Sequence, residues 1–161
     1  MESSPVKLRV ALSGVMRLYV ETSPLIYYFE ENPTYITLMD AIIDRMRLVP
    51  IEGVCSTIAL AEVLTYPKRI GRTDLVQDYR DILLHSREFA CLPLTVDMAD
   101  RAADLRARYN LKTPDALQLA AAIEANCDAF LTNNLGLKRV TELRELVLDD
   151  IEHDSPPSST P

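Results

Sequence analysis

The segment TPDALQLAAAIEANCDAFLTNN, residues 113–134, contains a helix start, an apolar helix face, a strand and a polar strand end in succession. Thr113 can cap a helix through its side chain and Pro114 suits the first helical position, so a helix is predicted to begin there. One face of that helix is apolar at spacings of three and four residues, through Ala116, Leu119, Ala120 and Ile123. The β-rich run 129–132 predicts a strand, and two asparagines follow it. A helix and a strand in this order are the repeating unit of an α/β fold.

Strand-like and helix-like segments alternate along the rest of the chain. Short β-rich runs lie at 17–20, 54–57, 89–92, 129–132 and 145–148. Helical spacing of apolar residues fills the intervals, at 36–46, 75–83, 96–109 and from 113 onward. Because parallel strands are joined through crossover helices, this order predicts an α/β fold, a three-layer α/β/α sandwich with a central, mainly parallel five-stranded sheet.

Composition divides the chain into a domain and two flanking segments. Residues 1–15 show no clear period, and we interpret them as an N-terminal extension. Residues 152–161 are rich in proline and serine and predict a disordered tail. The domain itself is expected to span 16–151, without an internal repeat or a linker.

Charge and hydropathy exclude some classes of function. The 17 basic and 24 acidic residues give a net charge of −7, which argues against a broad basic surface for nucleic acid but leaves a local basic groove open. The apolar runs are far shorter than the roughly 20 residues of a bilayer helix, and no secretory signal is expected from residues 1–16. Three widely spaced cysteines indicate buried, reduced thiols instead of a disulfide framework or a zinc cluster. We therefore expect a cytoplasmic protein without a membrane segment.

Polar side chains follow the predicted strands where each strand ends. In an open parallel sheet, ligands bind beyond the carboxyl ends of the strands. The oxygen-bearing residues near these ends are Glu21, Thr22, Ser23, Ser56, Thr57, Glu62, Asp115, Thr132, Asn133 and Asn134. Mg²⁺ prefers such oxygen ligands, and three carboxylates that converged without a cation would repel each other. Neither His85 nor His153 lies where a general base or a zinc pair would be expected.

Each of these residues also has an ordinary structural interpretation. Asp115 can interact with the helix dipole in a first turn, worth about 0.3–1 kcal/mol. Glu62 can lie on a solvated helix face, and Thr22 can cap a helix. Asn133 and Asn134 are common in turns. The hypothesis of a metal site therefore depends on whether the fold brings these side chains together.

Four short segments resemble the motifs of PIN domains, in the same order along the chain. They are LYVETSPLIY (18–27), STIALAEV (56–63), TPDALQLAAA (113–122) and FLTNN (130–134). The third is the most specific, and the resemblance covers about residues 16–150. It implies a parallel α/β/α sandwich, in agreement with the strand count made above.

The resemblance also implies an activity and a set of site residues. Many PIN domains are Mg²⁺- or Mn²⁺-dependent ribonucleases, including the VapC-type toxins of bacterial toxin–antitoxin pairs. By motif position, the metal ligands would be Glu21, Glu62, Asp115 and Asn134, with Thr132 as the accompanying hydroxyl. The implied function is metal-dependent hydrolysis of RNA phosphodiester bonds by an endoribonuclease toxin, with RNA, a small antitoxin protein and a second copy of the chain as partners.

Two residues depart from the family pattern, in which aspartate is usual at both positions. Glu21 is one methylene longer, which moves its carboxylate by about 1.5 Å unless the backbone compensates. Asn134 offers an amide oxygen that can coordinate a cation but has no charge. These departures imply weakened activity, and they leave open an alternative in which a catalytically impaired PIN fold retains RNA or protein binding.

Two surfaces are candidates for partner binding. Basic residues that could contact RNA are Lys68, Arg69, Arg72, Arg101, Arg106, Arg108, Lys112, Lys138 and Arg139, with Tyr66 or Tyr109 available to stack on a base. These basic residues could equally be solvated helix ends with ordinary ion pairs. In the toxin interpretation, an apolar antitoxin helix is expected in a groove near 25–28 and 36–43.

Overall fold

A computed structural model describes residues 4–154 of the chain. Its strands in chain order are β1 (Val6–Lys7), β2 (Arg17–Val20), β3 (Glu52–Ser56), β4 (Phe89–Leu92), β5 (Ala129–Thr132), β6 (Glu145–Val147) and β7 (Ile151–Glu152). Five of these strands form one sheet in the order β4-β3-β2-β5-β6, and every neighbouring pair in it is parallel. The predicted five-stranded parallel sheet is confirmed, with β2 at its centre.

Helices cover both faces of this sheet. They are α1 (Leu8–Ala11), α2 (Thr22–Phe29), α3 (Ile36–Leu48), α4 (Thr57–Arg69), α5 (Thr73–His85), α6 (Val96–Tyr109) and α7 (Thr113–Glu124), with 3₁₀ turns at Leu135–Arg139 and Leu148–Asp150. Because side chains alternate along a strand, Leu18 and Val20 of β2 join one buried cluster while Tyr19 joins the other. The molecule is the three-layer α/β/α sandwich that the sequence predicts. Within the described residues, no helix has the length and apolar character needed to cross a membrane.

The strand β3 begins at Glu52, two residues before the predicted run, and Gly53 explains why the prediction started too late. Glycine is depleted in strands, so residue propensity does not reveal this position. The sheet nevertheless requires glycine there, since a Cβ at Gly53 would lie 2.7 Å from Cε1 of Phe89 and 2.9 Å from the carbonyl oxygen of Glu88. At its other end β3 stops at Ser56, and Thr57 begins α4.

Residues 6–15 pack against the same core as the central sheet. The strand Val6–Lys7 pairs in parallel with Ile151–Glu152, which joins the beginning and the end of the described chain. Four apolar side chains then enter the core, those of Leu8, Ala11, Leu12 and Val15. The sequence places the start of the domain at residue 16, but the packing is continuous across this position. The tail expected at 152–161 begins inside β7, and residues 155–161 lie outside the described part of the chain.

All three cysteines are free thiols, as the sequence predicts. Cys55 and Cys127 are buried, whereas Cys91 is half-buried. Burial raises the pKa of Cys127 to about 12, which keeps this thiol protonated and unreactive at neutral pH. These side chains therefore act as small core residues.

Replacing Leu8 with alanine is expected to destabilise the protein by about 2–5 kcal/mol, because truncation of a fully packed side chain leaves a cavity. Leu8 is only 3% exposed, whereas Val10 on the same helix is 53% exposed. Val10→Ala is therefore the matched control, with an expected change of about 0.5 kcal/mol or less. Urea denaturation measures both. Equal stability of Leu8→Ala and the wild type would show that the N-terminal segment contributes nothing to the folded domain.

Candidate active site

The neighbouring strands β3, β2 and β5 direct the residues that follow them toward one edge of the sheet. Glu21 comes directly after β2, and Asn134 lies two residues after β5. Glu62 is on α4, which follows β3, and Asp115 is in the first turn of α7. These four side chains line one cleft of about 340 Å³, together with Thr22, Ser23, Lys112, Pro114 and Gln118. The fifth predicted site residue, Thr132, is buried against Glu21.

Glu21 is a buried acid whose carboxylate is held by the neighbouring strand. Its side chain is only 6% exposed, and its backbone N–H donates to the carbonyl oxygen of Leu131 at 3.0 Å. The hydroxyl of Thr132 donates to Oε2 of Glu21 and accepts the backbone N–H of Asn134 at 2.9 Å. Thr132 therefore fixes the direction of the Glu21 carboxylate, because its single hydroxyl proton is used there.

Burial and neighbouring acids shift the titration of Glu21. Burial raises the pKa of Glu21 to about 7, the hydrogen bond from Thr132 opposes this, and the charges of Asp115 and Glu62 raise it further. Burial also raises the pKa of Asp115, while the nearby charge of Lys112 lowers it. A bound cation would offset the repulsion that raises the pKa of Glu21.

The three carboxylates differ in their hydrogen bonding. Glu62 Oε1 accepts the hydroxyl of Thr22 at 2.9 Å and Nε2 of Gln118 at 3.1 Å. Neither oxygen of Asp115 accepts a hydrogen bond from another residue in the described part of the chain. Asp115 is thus the acid whose oxygens are most available to a ligand.

Gln118 is a site residue that sequence reasoning missed. Its side chain is only 1% exposed, yet it contacts Glu62 and Thr22 at the cleft. The available signal was its position three residues after Asp115, which places both side chains on one face of the helix. The apolar period of α7 concealed it, since the helix is buried on several sides.

Asn134 lies in the cleft, but its side chain also bonds the backbone. Its Oδ1 accepts the N–H of Gly136 at 3.0 Å and so caps the 3₁₀ turn Leu135–Arg139. An amide oxygen has two lone pairs, so this bond leaves one position for a further donor or a cation. The observed role of Asn134 is to order the loop after β5.

The oxygen atoms that line the cleft are of the types that coordinate a hard divalent cation. It consists of carboxylate, amide and hydroxyl oxygens, the ligands that Mg²⁺ takes in proteins. Within residues 4–154, no group of three or more His, Cys, Asp or Glu side chains is close enough to hold a metal ion as it stands. The cleft therefore presents suitable donors in an open arrangement.

Most of the basic residues predicted to contact RNA are engaged elsewhere. Ion pairs link Arg72 to Asp74, Arg101 to Glu124, Arg108 to Glu142 and Lys138 to Asp150. Arg106 and Arg139 donate to backbone carbonyls of Leu111 and Tyr109. Lys112, by contrast, lines the cleft beside Asp115. Several of the predicted RNA-contacting residues therefore form ordinary ion pairs, whereas Lys112 brings a positive charge to the cleft itself.

The fold and the cleft define a class of protein: a parallel α/β/α domain with an acidic, oxygen-lined site at the carboxyl edge of its sheet. The sequence model of the PIN domain matches residues 18–143. The chain therefore belongs to the PIN domain family. A comparison with curated protein sequences gave no match.

Several solved structures share this fold. A chain of VapBC2 from Rickettsia felis, solved bound to a promoter DNA fragment, has 20% identity and a TM-score of 0.64 over 86% of this chain and 98% of its own. A toxin–antitoxin complex from Klebsiella pneumoniae has 23% identity and a TM-score of 0.62 over 81% and 97%. VapC20 from Mycobacterium tuberculosis, a sarcin–ricin loop cleaving toxin, has 16% identity and a TM-score of 0.62 over 79% and 98%. At these identities the likeness establishes the common architecture.

Glu21→Gln is expected to raise the melting temperature of the metal-free protein at pH values above about 7. The folded-state pKa of Glu21 is about 7 against an ordinary 4.5, so the folded protein binds more protons than the unfolded chain between these values. Stability therefore falls as pH rises through this window, and a glutamine removes that loss while keeping an oxygen for Thr132. Differential scanning calorimetry in EDTA at a series of pH values measures the effect.

The two melting curves should agree near pH 4.5 and separate as pH approaches 7. Some pH dependence should remain in Glu21→Gln, because burial also raises the pKa of Glu145 to about 7. Glu31→Gln, at an exposed position outside the cleft, is the matched control and should follow the wild type. Identical curves for all three proteins would contradict the assignment of a buried, destabilising charge to Glu21.

Proposed function

We propose that this protein is a divalent-metal-dependent endoribonuclease that acts as the toxin of a cytoplasmic toxin–antitoxin pair. The observation that carries the proposal is the convergence of Glu21, Glu62 and Asp115 in one cleft of a PIN-family chain. Two likenesses support it: the Klebsiella structure is a toxin–antitoxin complex, and the Mycobacterium protein is a loop-cleaving toxin. RNA as the substrate class follows from the motif resemblance.

The proposed cation is Mg²⁺ or Mn²⁺, held by oxygens of Glu21, Glu62, Asp115 and Asn134. When bound, it would supply stabilisation for the negative charge that builds on the phosphate during hydrolysis. Glu21 contributes a buried carboxylate of fixed direction, and Asp115 contributes oxygens without competing hydrogen bonds. We assign Thr132 as a positioning residue, because its proton is donated to Glu21 and not into the cleft.

Lys112 is the proposed contact for an RNA phosphate. It lines the cleft beside Asp115, and the cleft continues into a second hollow of about 190 Å³ that also reaches Asn110 and Arg139. A backbone phosphate next to the cleaved bond would therefore meet a positive charge there. With a net charge of −7, the protein has no long-range attraction for RNA, so such local contacts are required.

The proposed antitoxin site is a groove between α2, α3 and α5. It has a volume of about 410 Å³ and is lined by Tyr28, Phe29, Glu31, Ile36, Asp40, Asp78, Asp81 and Ile82. Leu25, which the sequence places near this groove, is instead buried in the core. An apolar floor with an acidic rim fits an amphipathic helix flanked by basic residues. The homodimer implied by the resemblance stays a prediction.

Purified protein is expected to cleave RNA in the presence of Mn²⁺ or Mg²⁺ and to stop when EDTA is added in excess. Asp115→Ala should lower the rate about a hundredfold or more, because it removes a carboxylate from the proposed ligand set. Asp97→Ala is the matched control, since Asp97 is also an acid in the first turn of a helix but is exposed and lies outside the cleft. Gel analysis of labelled RNA measures the rates. Equal cleavage by wild type and Asp115→Ala would contradict the proposal.

The same assay tests the two departures from the family pattern. The double variant Glu21→Asp/Asn134→Asp should cleave faster than the wild type, since displacement of a reacting group by about 1 Å can cost about a hundredfold in rate. Aspartate at position 134 can still accept the N–H of Gly136, so the loop is expected to keep its form. Absence of cleavage by both proteins would contradict the endoribonuclease assignment.

Reversal of the acidic rim is expected to weaken antitoxin binding. Asp78→Lys/Asp81→Lys should lower the affinity for the product of an adjacent short gene by about tenfold or more, through repulsion of its basic flank. Asp97→Lys/Asp100→Lys is the matched control, with the same spacing on an exposed face of α6. Co-purification and titration calorimetry measure binding. Equal loss for both pairs would exclude the groove as the docking site.

A further inference from the structure

A chain of hydrogen bonds runs through the core beneath the cleft and ends at Glu62. The Oγ of Ser56 lies 2.8 Å from the hydroxyl of Tyr19, which donates to Oε1 of Gln118 at 3.1 Å. Nε2 of Gln118 then donates to Oε1 of Glu62 at 3.1 Å and to the hydroxyl oxygen of Thr22 at 3.0 Å. Ser56, Tyr19 and Gln118 are all buried, so this chain connects the interior to an exposed acid.

Donor and acceptor rules fix the direction of each bond. Tyr19 has one hydroxyl proton and gives it to Gln118, so Ser56 must donate to Tyr19. The amide oxygen of Gln118 is thereby turned toward Tyr19, and both amide hydrogens face Thr22 and Glu62. The reversed amide would place its oxygen against the Glu62 carboxylate and lose these bonds. Burial raises the pKa of Tyr19 well above its ordinary value, which keeps the phenol protonated.

Glu62 is the member of the cleft that most needs such support. It is exposed on α4, and a long, exposed side chain has several rotamers to choose from. Its Oε1 accepts both Thr22 and Gln118, while Oε2 accepts no hydrogen bond from the residues that the structure describes. The two donors hold one oxygen and leave the other available to the cleft.

We propose that Gln118 is a positioning residue that orients the Glu62 carboxylate for a divalent cation, with Tyr19 setting the orientation of the Gln118 amide. The role of the cation rests on the proposed function, whereas the hydrogen-bond chain does not. Gln118 occupies a site on α7 where the other buried side chains are apolar. A residue that only filled space there could be replaced by an apolar one of equal length, so substitution distinguishes the two roles.

Gln118→Met removes the amide and keeps the length of the side chain. We expect the affinity for Mn²⁺, measured by isothermal titration calorimetry, to fall about 10–100-fold, the range observed for residues that orient metal ligands. Combined with Glu62→Gln, the substitution should add no further loss, since Gln118 acts through Glu62. Unchanged affinity in Gln118→Met, or additive losses in the double variant, would overturn the proposal.

A second pair of variants covers the case in which Gln118→Met fails to fold. Tyr19→Phe removes the donor that orients Gln118. Tyr79→Phe is the matched control. Tyr79 is also buried and donates one hydrogen bond, to Glu30 at 2.6 Å, and neither residue belongs to the hydrogen-bond chain that ends at Glu62. Tyr19→Phe should lower the Mn²⁺ affinity relative to Tyr79→Phe. Equal affinities in the two variants would overturn the role of Tyr19.

Metal-free crystal structures separate this inference from the proposed function. In the wild type Glu62 should occupy one rotamer, and in Gln118→Met it should occupy several. The same Glu62 rotamer in both proteins would overturn the positioning role, whatever the activity. Failure of the wild type to bind Mn²⁺ or cleave RNA, with the rotamer change present, would instead refute the proposed function and leave the orientation of Glu62 by Gln118 established.

Discussion

A charged carboxylate is costly to bury, and the site depends on how the fold tolerates this at Glu21. The acid follows the central strand β2, where the sheet is covered on both faces, and it is stabilised by one hydroxyl from the adjacent strand. Burial and neighbouring acids raise its pKa to about 7, so the metal-free site is electrostatically unfavourable. The large apolar core around β2 offsets this cost.

The parallel sheet and the packing of α7 together determine which residues meet. Neighbouring parallel strands end at one edge, which brings the segments after β2, β3 and β5 together. The buried side of α7 is built largely from alanine, at Ala116, Ala120, Ala121 and Ala122. Such small side chains allow a helix to approach a sheet closely, and this approach places Asp115 and Gln118 beside residues from distant parts of the chain.

Sequence patterns were sufficient for the features that repeat locally. The strand and helix periods gave the five-stranded sheet, and the rule for strand ends placed Glu21, Glu62, Asp115 and Asn134 in one cleft. Features that depend on a residue far along the chain could not be predicted from local sequence patterns. Gly53 is required by Phe89, and Gln118 is explained only by Tyr19 and Glu62. The strand Val6–Lys7 pairs with Ile151–Glu152, at the far end of the described residues. Tertiary contacts decide such positions, and a local period does not record them.

The pairing of β1 with β7 has a consequence for the order in which the protein folds. Nζ of Lys7 donates to the carbonyl oxygen of His153, 146 positions further along the chain. Contacts between such distant residues carry the largest loop-closure entropy, so they are expected to form late. During synthesis, β1 and the neighbouring helix α1 emerge long before β7, so β1 lacks its partner strand until residues 151 and 152 have been made. The fold described here is therefore completed only after residues 151 and 152 have been synthesised.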